Sequence, residues 1–340
     1  MDGRVKEARL RTGMSQGELA LQAGVTRQLV GAIEGGRHSP SVSAALRIAA
    51  VLGESVETLF AAHSAPTDLP VSASLPSGTP IMLARVGANR VHAPVRNLLA
   101  VSESWAVTDG FLSDQGVETF SDLEDSALVI AGCDPLLGLA AAVLLRAHGP
   151  RILPVHLSTG AAVTALACGT VHGVVVHGRA NSLPSPPVAV RRWSFASWRV
   201  GLASPLRREI SSVEQLAERR VRTAQREAGA GTQRALERAL GEVGATSVPG
   251  PRVDGHIDAA RHVVAGIPAG ITMEPAALAF NLGFLPLETH SSELWISERH
   301  LEHRGAMAFV EMLNTAALVV RARRLPAYDV SSMGKEIYAA

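Results

Sequence analysis

One stretch, "MSQGELALQAGVTRQLVGAIEGGRHSPSVSAALRIAAVLG" (Met14–Gly53), constrains its part of the fold more tightly than any other. Ser15 is followed three residues later by Glu18, the spacing of a capping box, in which each residue satisfies the other's free backbone amide at a helix start. Leu19 and Ala20 then fall on an inward face, and Ala23-Gly24-Val25 make a tight turn. Thr26 caps a second helix on which Leu29, Val30 and Ile33 supply the apolar anchors. Two short helices joined by a turn of this kind meet the requirement of a helix-turn-helix unit.

That unit occupies a small part of a 340-residue chain, a length that predicts two or more domains. Hydrophobic residues make up 47% and aromatics only 4%, so Ala, Val, Leu and Gly must carry the burial, which suits helices packed on sheets. A formal net charge of +1 excludes a global basic field, so any nucleic-acid contact must come from a local patch. Cys133 and Cys168 are the only cysteines, too few for a disulfide framework. The opening "MDGRVKEARL" lacks the apolar run of a signal peptide. The apolar run Ala127–Leu145 contains Asp134-Pro135, which a lipid-exposed helix disfavours; a buried strand, a turn and an apolar helix explain it better. The expectation is a soluble, cytoplasmic protein with no membrane partner.

Residues 1–62 read as short helices, and 63–80, rich in Pro, Ser, Ala and Thr, as a linker. A hairpin is expected around Gly87-Ala88-Asn89 at the start of a large region, 81–340. From Ala127 the strand-like runs "ALVIAG", "RILPVHL", "GVVVHG", "VAVRRWSFASWRVGLAS", "VRTAQ", "AGIT" and "FLPL" alternate with helical ones. An extended run "SSELWIS" then precedes a C-terminal helix, Gly305–Val320. Such alternation predicts parallel sheet flanked by helices. The fold class is therefore α followed by α/β.

The string from Val5 to Phe60 resembles the DNA-binding domain of the lambda repressor and Cro, the Xre type. The resemblance implies that Gln16 touches a phosphate, that Thr26, Arg27 and Gln28 face base edges or phosphates, and that Arg37 reaches the backbone of operator DNA. Arg27 would pair with guanine and Gln28 with adenine. Glu18 and Glu34 offset Arg27 and Arg37, so the local patch is modest, and a homodimer on a palindromic site would double the contacts.

In the larger region "REAGAGTQRALERAL" (Arg226–Leu240) has a glycine loop at the mouth of a helix. No lysine follows Gly231, which argues against a Walker loop, and "GAGTQR" lacks the last glycine of a dinucleotide fingerprint. What remains is a helix N-terminus whose amides and dipole favour an anionic or polar group. Similar entrances stand at Asp134-Pro135 and at Ser158-Thr159.

Together with "AGCDPLLGLAAAVL", "HLSTGAAVTALACGTVHGVVVHG", "GHIDAARHVVAG" and "EPAALAFNLGFLPL", this loop resembles the periplasmic-binding-protein-like domain, type 2 and molybdate-binding-like, found behind helix-turn-helix modules in bacterial regulators. The resemblance implies one lobe at about 127–190 plus the chain after 290, and another at about 200–288. The chain would cross between them near Arg192–Arg199 and His290–Ile296. Asp134, Ser158, Thr159, His177, Arg226, Gly229, Gly231, Thr232, His256 and Glu274 would line the ligand cleft. Ala230 and Gln233 replace a serine and an arginine usual in the family, which favours a less charged or larger organic ligand over a small oxyanion.

Seven histidines of this region (His148, His156, His172, His177, His256, His262 and His290), with Cys133 and Cys168, raise a metal, haem or redox-sensing alternative. No CxxC or HxxxH spacing supports it, and no metal or cofactor is expected. Glu274 opens a helix with Pro275 in its first turn, either as a cleft acceptor or as a complement to the helix dipole. Trp193 and Trp198 are read as packing anchors, and Arg191, Arg192 and Arg199 as a solvated face. No GxSxG elbow is present and both cysteines stand in apolar company, so no catalytic residue is nominated. The expected function is a ligand-responsive transcriptional regulator rather than an enzyme; a dimer whose cleft has lost its ligand is a further alternative.

Overall fold

The computed structural model describes residues 4–60, 68–71, 76–94, 108–120, 127–180 and 182–338. The chain divides into two compact units, Met1–Thr67 and Asp68–Ala340.

Among the described residues the first unit holds five helices: α1 (Arg4–Arg11), α2 (Gln16–Gln22), α3 (Arg27–Glu34), α4 (Val42–Leu52) and α5 (Val56–Phe60). The capping box forms as the spacing predicts. Ser15 Oγ accepts from the Glu18 amide at 3.2 Å, and the Ser15 amide donates to Glu18 Oε2 at 2.7 Å. Thr26 Oγ1 accepts from the Leu29 amide at 3.1 Å. Between the helices Gly24 takes φ +61°, a conformation that glycine adopts without steric cost. Leu19, Val30, Ile33, Ile48 and Leu52 meet in one core. A polar tie binds the first three helices beside that core. Arg9 Nε and Nη2 donate to Glu34 Oε1 and Oε2 at 2.6 and 3.0 Å, and Gln16 Nε2 donates to Oε2 at 2.8 Å.

The second unit is built on an eight-stranded sheet whose main path runs β10-β11-β9-β12-β8-β6-β7. Its strands are β6 (Leu128–Gly132), β7 (Ile152–His156), β8 (Gly173–Gly178), β9 (Val190–Ser204), β10 (Thr223–Ala224), β11 (Ala269–Met273), β12 (Gly283–Ser297) and β13 (Glu336–Ile337), the last pairing with β9. Strands β6, β8 and β11 are buried at every residue, as runs covered on both faces must be. The run Ala127–Leu145 resolves into β6, a turn and the helix Leu136–Arg146.

Two differences from the sequence reading concern continuity. "FLPL" and "SSELWIS" are one 15-residue strand, β12, because register shifts at Pro286/Glu288 and Ser292/Glu293 absorb the irregularities. The expected helix Gly305–Val320 is instead two, Arg304–Leu313 and Ala316–Arg323, bent by 53°. The break falls at Asn314-Thr315, where the Thr315 hydroxyl donates to Met312 O at 2.8 Å and competes with helix continuation. Among the described residues no single helix is long and apolar enough to cross a membrane, although this bent pair passes the same test of length and composition.

A second, five-stranded sheet has the order β1-β3-β2-β4-β5. Its strands are β1 (Asp68–Pro70), β2 (Pro80–Val86), β3 (Asn89–Pro94), β4 (Gly110–Ser113) and β5 (Gly116–Thr119). The hairpin β2–β3 turns at Gly87-Ala88, with Val86 opposite Asn89. Within 63–80, read as a linker, Asp68–Pro70 pairs with β3; positions 63–67 and 72–75 of that stretch lie outside the described residues. Val71, Met82, Val86 and Val91 share a core with Val129, Leu153, Val174 and Trp295, so this sheet covers one end of the large one.

Breaking the Arg9–Glu34 tie leaves a guanidinium only 8% exposed without its partner. Glu34→Ala is therefore expected to cost about 3–5 kcal/mol in urea unfolding of the helical unit. Burial raises the Glu34 pKa, but hydrogen bonds from Arg9 and Gln16 outweigh it and hold the group below its ordinary value. Its stabilisation is present above the unfolded-state pKa and is lost as pH falls through the folded one. Glu34→Ala should flatten that acid limb of the stability profile.

Candidate functional site

On the helical unit, the capped start of α3 presents Thr26, Arg27 and Gln28, all exposed, with Arg37 exposed beyond its end. Gln16, Arg27, Gln28, Gly31, Ala32 and Arg37 line one shallow depression. All the nominated residues except Thr26 thus border a single surface. Gln16 is half-buried, and its amide is turned inward to Glu34. That orientation ties the N-terminus of α2 to α3 and makes Gln16 a positioning residue as well as a surface one.

In the second unit, β9 and β12 run antiparallel over 15 residues each and carry the chain through both halves of the sheet. One half contributes the ends of β6, β7 and β8; the other contributes the loop after β10 and the starts of the helices Gly231–Glu242 and His256–Val264. The two walls touch. His156 Nε2 lies 2.6 Å from Asp254 O, and a Cβ at Gly231 would sit 3.3 Å from His177 Cε1. A cavity of about 140 Å³ opens beside this contact, bordered by Thr159, His177, Gly229, Gly231, Arg238 and His290.

Several nominated cleft residues have their polar atoms engaged by the protein. Asp134 accepts from Leu136 N at 3.0 Å, Tyr328 OH at 2.7 Å and Trp198 Nε1 at 3.1 Å. Burial pushes its carboxyl above the ordinary range while these donors pull the other way. Thr159 Oγ1 accepts from His177 N at 3.1 Å and lies 3.3 Å from His177 O. Ser158 Oγ accepts from Ala161 N at 3.5 Å as a helix cap. Glu274 is held by Arg199, whose Nε donates at 2.7 Å and whose Nη2 reaches the other oxygen. Arg191 and Arg192, read as a solvated face, are paired with Glu336 and Glu293. Gly229 takes φ +88° and turns the loop, and Gly231 lets it approach His177.

The unengaged atoms belong to a smaller group. Arg226 is 1% exposed, and its Nη1 and Nη2 have no hydrogen-bond partner; nor do Thr232 Oγ1 and His256 Nδ1, both equally buried. Gln233 explains how Arg226 is held: its Oε1 accepts from the Arg226 amide at 3.0 Å.

The histidines assemble as their spacing does not reveal. Cys133 Sγ lies 3.1 Å from His177 Nε2 and 3.6 Å from His256 Nε2, and the three residues' ligand atoms all fall within 4.8 Å of one another. Trp198 packs on His177, His256 and His290 at centroid distances of 4.8, 5.2 and 5.6 Å. This corrects the reading that Cys133 stands in apolar company without a base. His177 and His256 come from other elements, and local sequence carries no trace of that meeting. Burial nevertheless pushes the Cys133 thiol up to about 11, against the pull of Arg226, so the thiol stays protonated at neutral pH. His172 lies apart, against His300 and His303. Cys168 is exposed and unpaired in a disulfide sense.

Hydrogen-bond logic fixes the tautomers. Glu288 is held below its ordinary pKa because hydrogen bonds from Arg238 and His290 outweigh burial, so it accepts from His290 Nε2 at 2.5 Å. Burial keeps His290 and His177 neutral. His290 Nδ1 then accepts from His177 Nδ1–H at 2.9 Å, which leaves the lone pair of His177 Nε2 facing Cys133.

Against known proteins, a helix-turn-helix family profile matches residues 5–59 and a PBP superfamily domain profile matches residues 144–314. An uncharacterized HTH-type transcriptional regulator of Methanothermobacter thermautotrophicus is 49% identical over 57 residues, 16% of this chain and 83% of its own. The regulator YgzD of Bacillus subtilis, of the same description, is 45% identical over 60 residues, 18% of this chain and 91% of its own. A tungstate ABC transporter structure from Geobacter sulfurreducens is 12% identical with a TM-score of 0.44, covering 58% of this chain and 98% of that one. The chain belongs to the Xre-type helix-turn-helix transcriptional regulators and carries a C-terminal domain of the PBP superfamily.

In either orientation Asp134→Asn sets its amide NH2 against an N–H that can only donate, that of Leu136 on one oxygen position or of Trp198 on the other. A loss of about 2–3 kcal/mol in chemical unfolding of the second unit is expected.

Proposed function

We propose that this regulator binds operator DNA through the start of α3 and a small acceptor-rich ligand, an anion or a carboxylate-bearing organic molecule, in the cleft of its second unit. The DNA reading rests on the exposed Arg27 and Gln28 at a capped helix start, with Gln16 and Arg37 on the same depression. A helix N-terminus with these side chains suits the major groove, and Arg27 and Gln28 suit guanine and adenine edges. Because the patch is modest in charge, a homodimer on two half-sites supplies the phosphate contacts that one unit lacks.

The observation that carries the ligand reading is the set of buried, unpartnered donors: Arg226 Nη1 and Nη2, Thr232 Oγ1 and His256 Nδ1. Arg226 Nε is paired with Glu227 at 3.3 Å, but its two buried Nη atoms without partners are costly, and an anionic group in the cleft offsets that cost. A ligand held by both walls favours the closed arrangement, and its differential affinity for closed and open states is what shifts DNA affinity. No side chain in the cleft is nominated for chemistry, in keeping with a family of regulators.

Two measurements test this. Replacing Arg27 and Gln28 by Ala in the full chain should reduce specific operator binding by at least about 30-fold, two base contacts at about 1–3 kcal/mol each, in a fluorescence anisotropy titration. Unchanged sequence preference would remove α3 from the groove. Separately, molybdate, tungstate, phosphate and small carboxylates should be screened by thermal shift and calorimetry on wild type and Arg226→Met. Saturable binding lost in Arg226→Met supports the cleft reading, and no response across the panel overturns the anionic ligand class.

A further inference from the structure

We propose that Cys133, His177 and His256 form a binding site for a single copper(I) ion that bridges the two halves of the second unit. The inference goes beyond the ligand reading and uses other atoms: Sγ of Cys133 and the Nε2 atoms of both histidines, leaving Arg226 and His256 Nδ1 to the anionic ligand.

Geometry is the first argument. Metal–sulfur and metal–nitrogen bonds of about 2.3 and 2.0 Å place sulfur and nitrogen about 3.5 Å apart at a tetrahedral angle and about 3.7 Å apart at a trigonal one. The two Sγ–Nε2 separations here are 3.1 and 3.6 Å. The second argument is preparation of the donors. A ligating histidine ordinarily gives its other N–H to a fixed acceptor, which sets the tautomer and orients the ring. His177 already does so through His290 to Glu288, and its Nε2 lone pair already faces the sulfur. In the absence of metal, Cys133 S–H donates to that lone pair. On binding, the ion replaces the thiol proton, which leaves to solvent, and no oxidation is involved.

The choice of ion follows from donor count and charge. One thiolate and two imidazoles are soft to intermediate donors, the company copper(I) favours. Among the described residues no other His, Cys, Asp or Glu joins this group, so the protein offers three donors, enough for copper(I) but leaving the fourth position of a tetrahedral zinc to a water or other outside ligand. Asp134 is next in sequence to Cys133, but its oxygens are engaged by Leu136, Trp198 and Tyr328. Charge points the same way. A copper(I) thiolate is neutral overall, whereas zinc on one thiolate keeps a net positive charge close to the buried Arg226 guanidinium, which acts electrostatically on Cys133, His177 and His256. Entry is provided at His177, which borders the open cavity.

Placement gives the site its consequence. Cys133 follows β6 and His177 ends β8 in one half, while His256 starts a helix in the other. An ion shared among them ties the walls together and stabilises the closed arrangement by mass action.

The test is an anaerobic titration of the reduced full-length protein with copper(I) in competition with bicinchoninate, alongside a zinc(II) titration. Wild type should take up one equivalent, with a rise in melting temperature. Cys133→Ser and His256→Gln should each weaken copper(I) binding at least 100-fold and abolish the thermal shift, while Cys168→Ser retains both. Near-UV circular dichroism confirms that each variant is folded; should Cys133→Ser fail this check, His256→Gln carries the decision. Wild-type affinity in a folded Cys133→Ser or His256→Gln variant overturns the proposal. Loss of binding in Cys168→Ser, or stoichiometric zinc binding with no competitive uptake of copper(I), overturns it equally.

Discussion

The antiparallel pairing of β9 with β12 is the interaction on which the second unit depends. Each strand is 15 residues long, and their ladder runs from Gly283↔Ser204 to Ser297↔Val190 with only two register shifts. Every parallel strand of both halves attaches to this pair, β11 to β9 and β8 to β12, the others following outward. Two such strands fix the distance between the halves and bring the end of β8 opposite the helix starts at Gly231 and His256. Pro286, which cannot donate to a ladder, sits at a register shift where the pairing is already interrupted.

That scaffold allows an unusual concentration of polar groups to be buried. Trp198 from β9 and His290 from β12 stand beside His177, and Asp134 is wrapped by donors from four separate segments, at Leu136, Trp198, Ser292 and Tyr328. Where partners exist the groups are satisfied, as in the Glu288–His290–His177 chain. Four buried atoms, Arg226 Nη1 and Nη2, Thr232 Oγ1 and His256 Nδ1, lack partners, and these are the atoms to which the proposed ligand is assigned. The same low dielectric that stabilises the first group penalises the second.

Much of this was legible in the residues. The capping box of Ser15 and Glu18 and the cap at Thr26 are local devices whose partners lie within three positions, so spacing alone reveals them. The turn at Gly87-Ala88 and the break of Ala127–Leu145 into strand and helix are local in the same way. The expected cleft positions Arg226, Thr232, His177 and His256 do gather near one another, but the residues that would be chosen as ligand anchors on type alone divide. Asp134 and Glu274 are engaged by neighbours remote in sequence, Tyr328 and Arg199, and no pattern in the chain announces those pairs. The joining of "FLPL" to "SSELWIS" in β12 was hidden for a related reason, since a strand's continuity across a bulge is decided by its partner rather than by its own alternation.

The sequence by itself determined the two kinds of unit, the helix caps, the position of Arg27 and Gln28 at the start of α3, and the alternation of strands and helices from Ala127 onward. These depend on hydrogen bonds and periodicities that span a few residues. Only the tertiary structure decided which polar groups are left without partners, and it alone placed Cys133 against His177 and His256, 44 and 123 positions away. Spacing rules for metal sites detect ligands on one turn or one loop. Here the donors come from the ends of two strands and the start of a helix, and only the sheet that aligns those ends makes them neighbours.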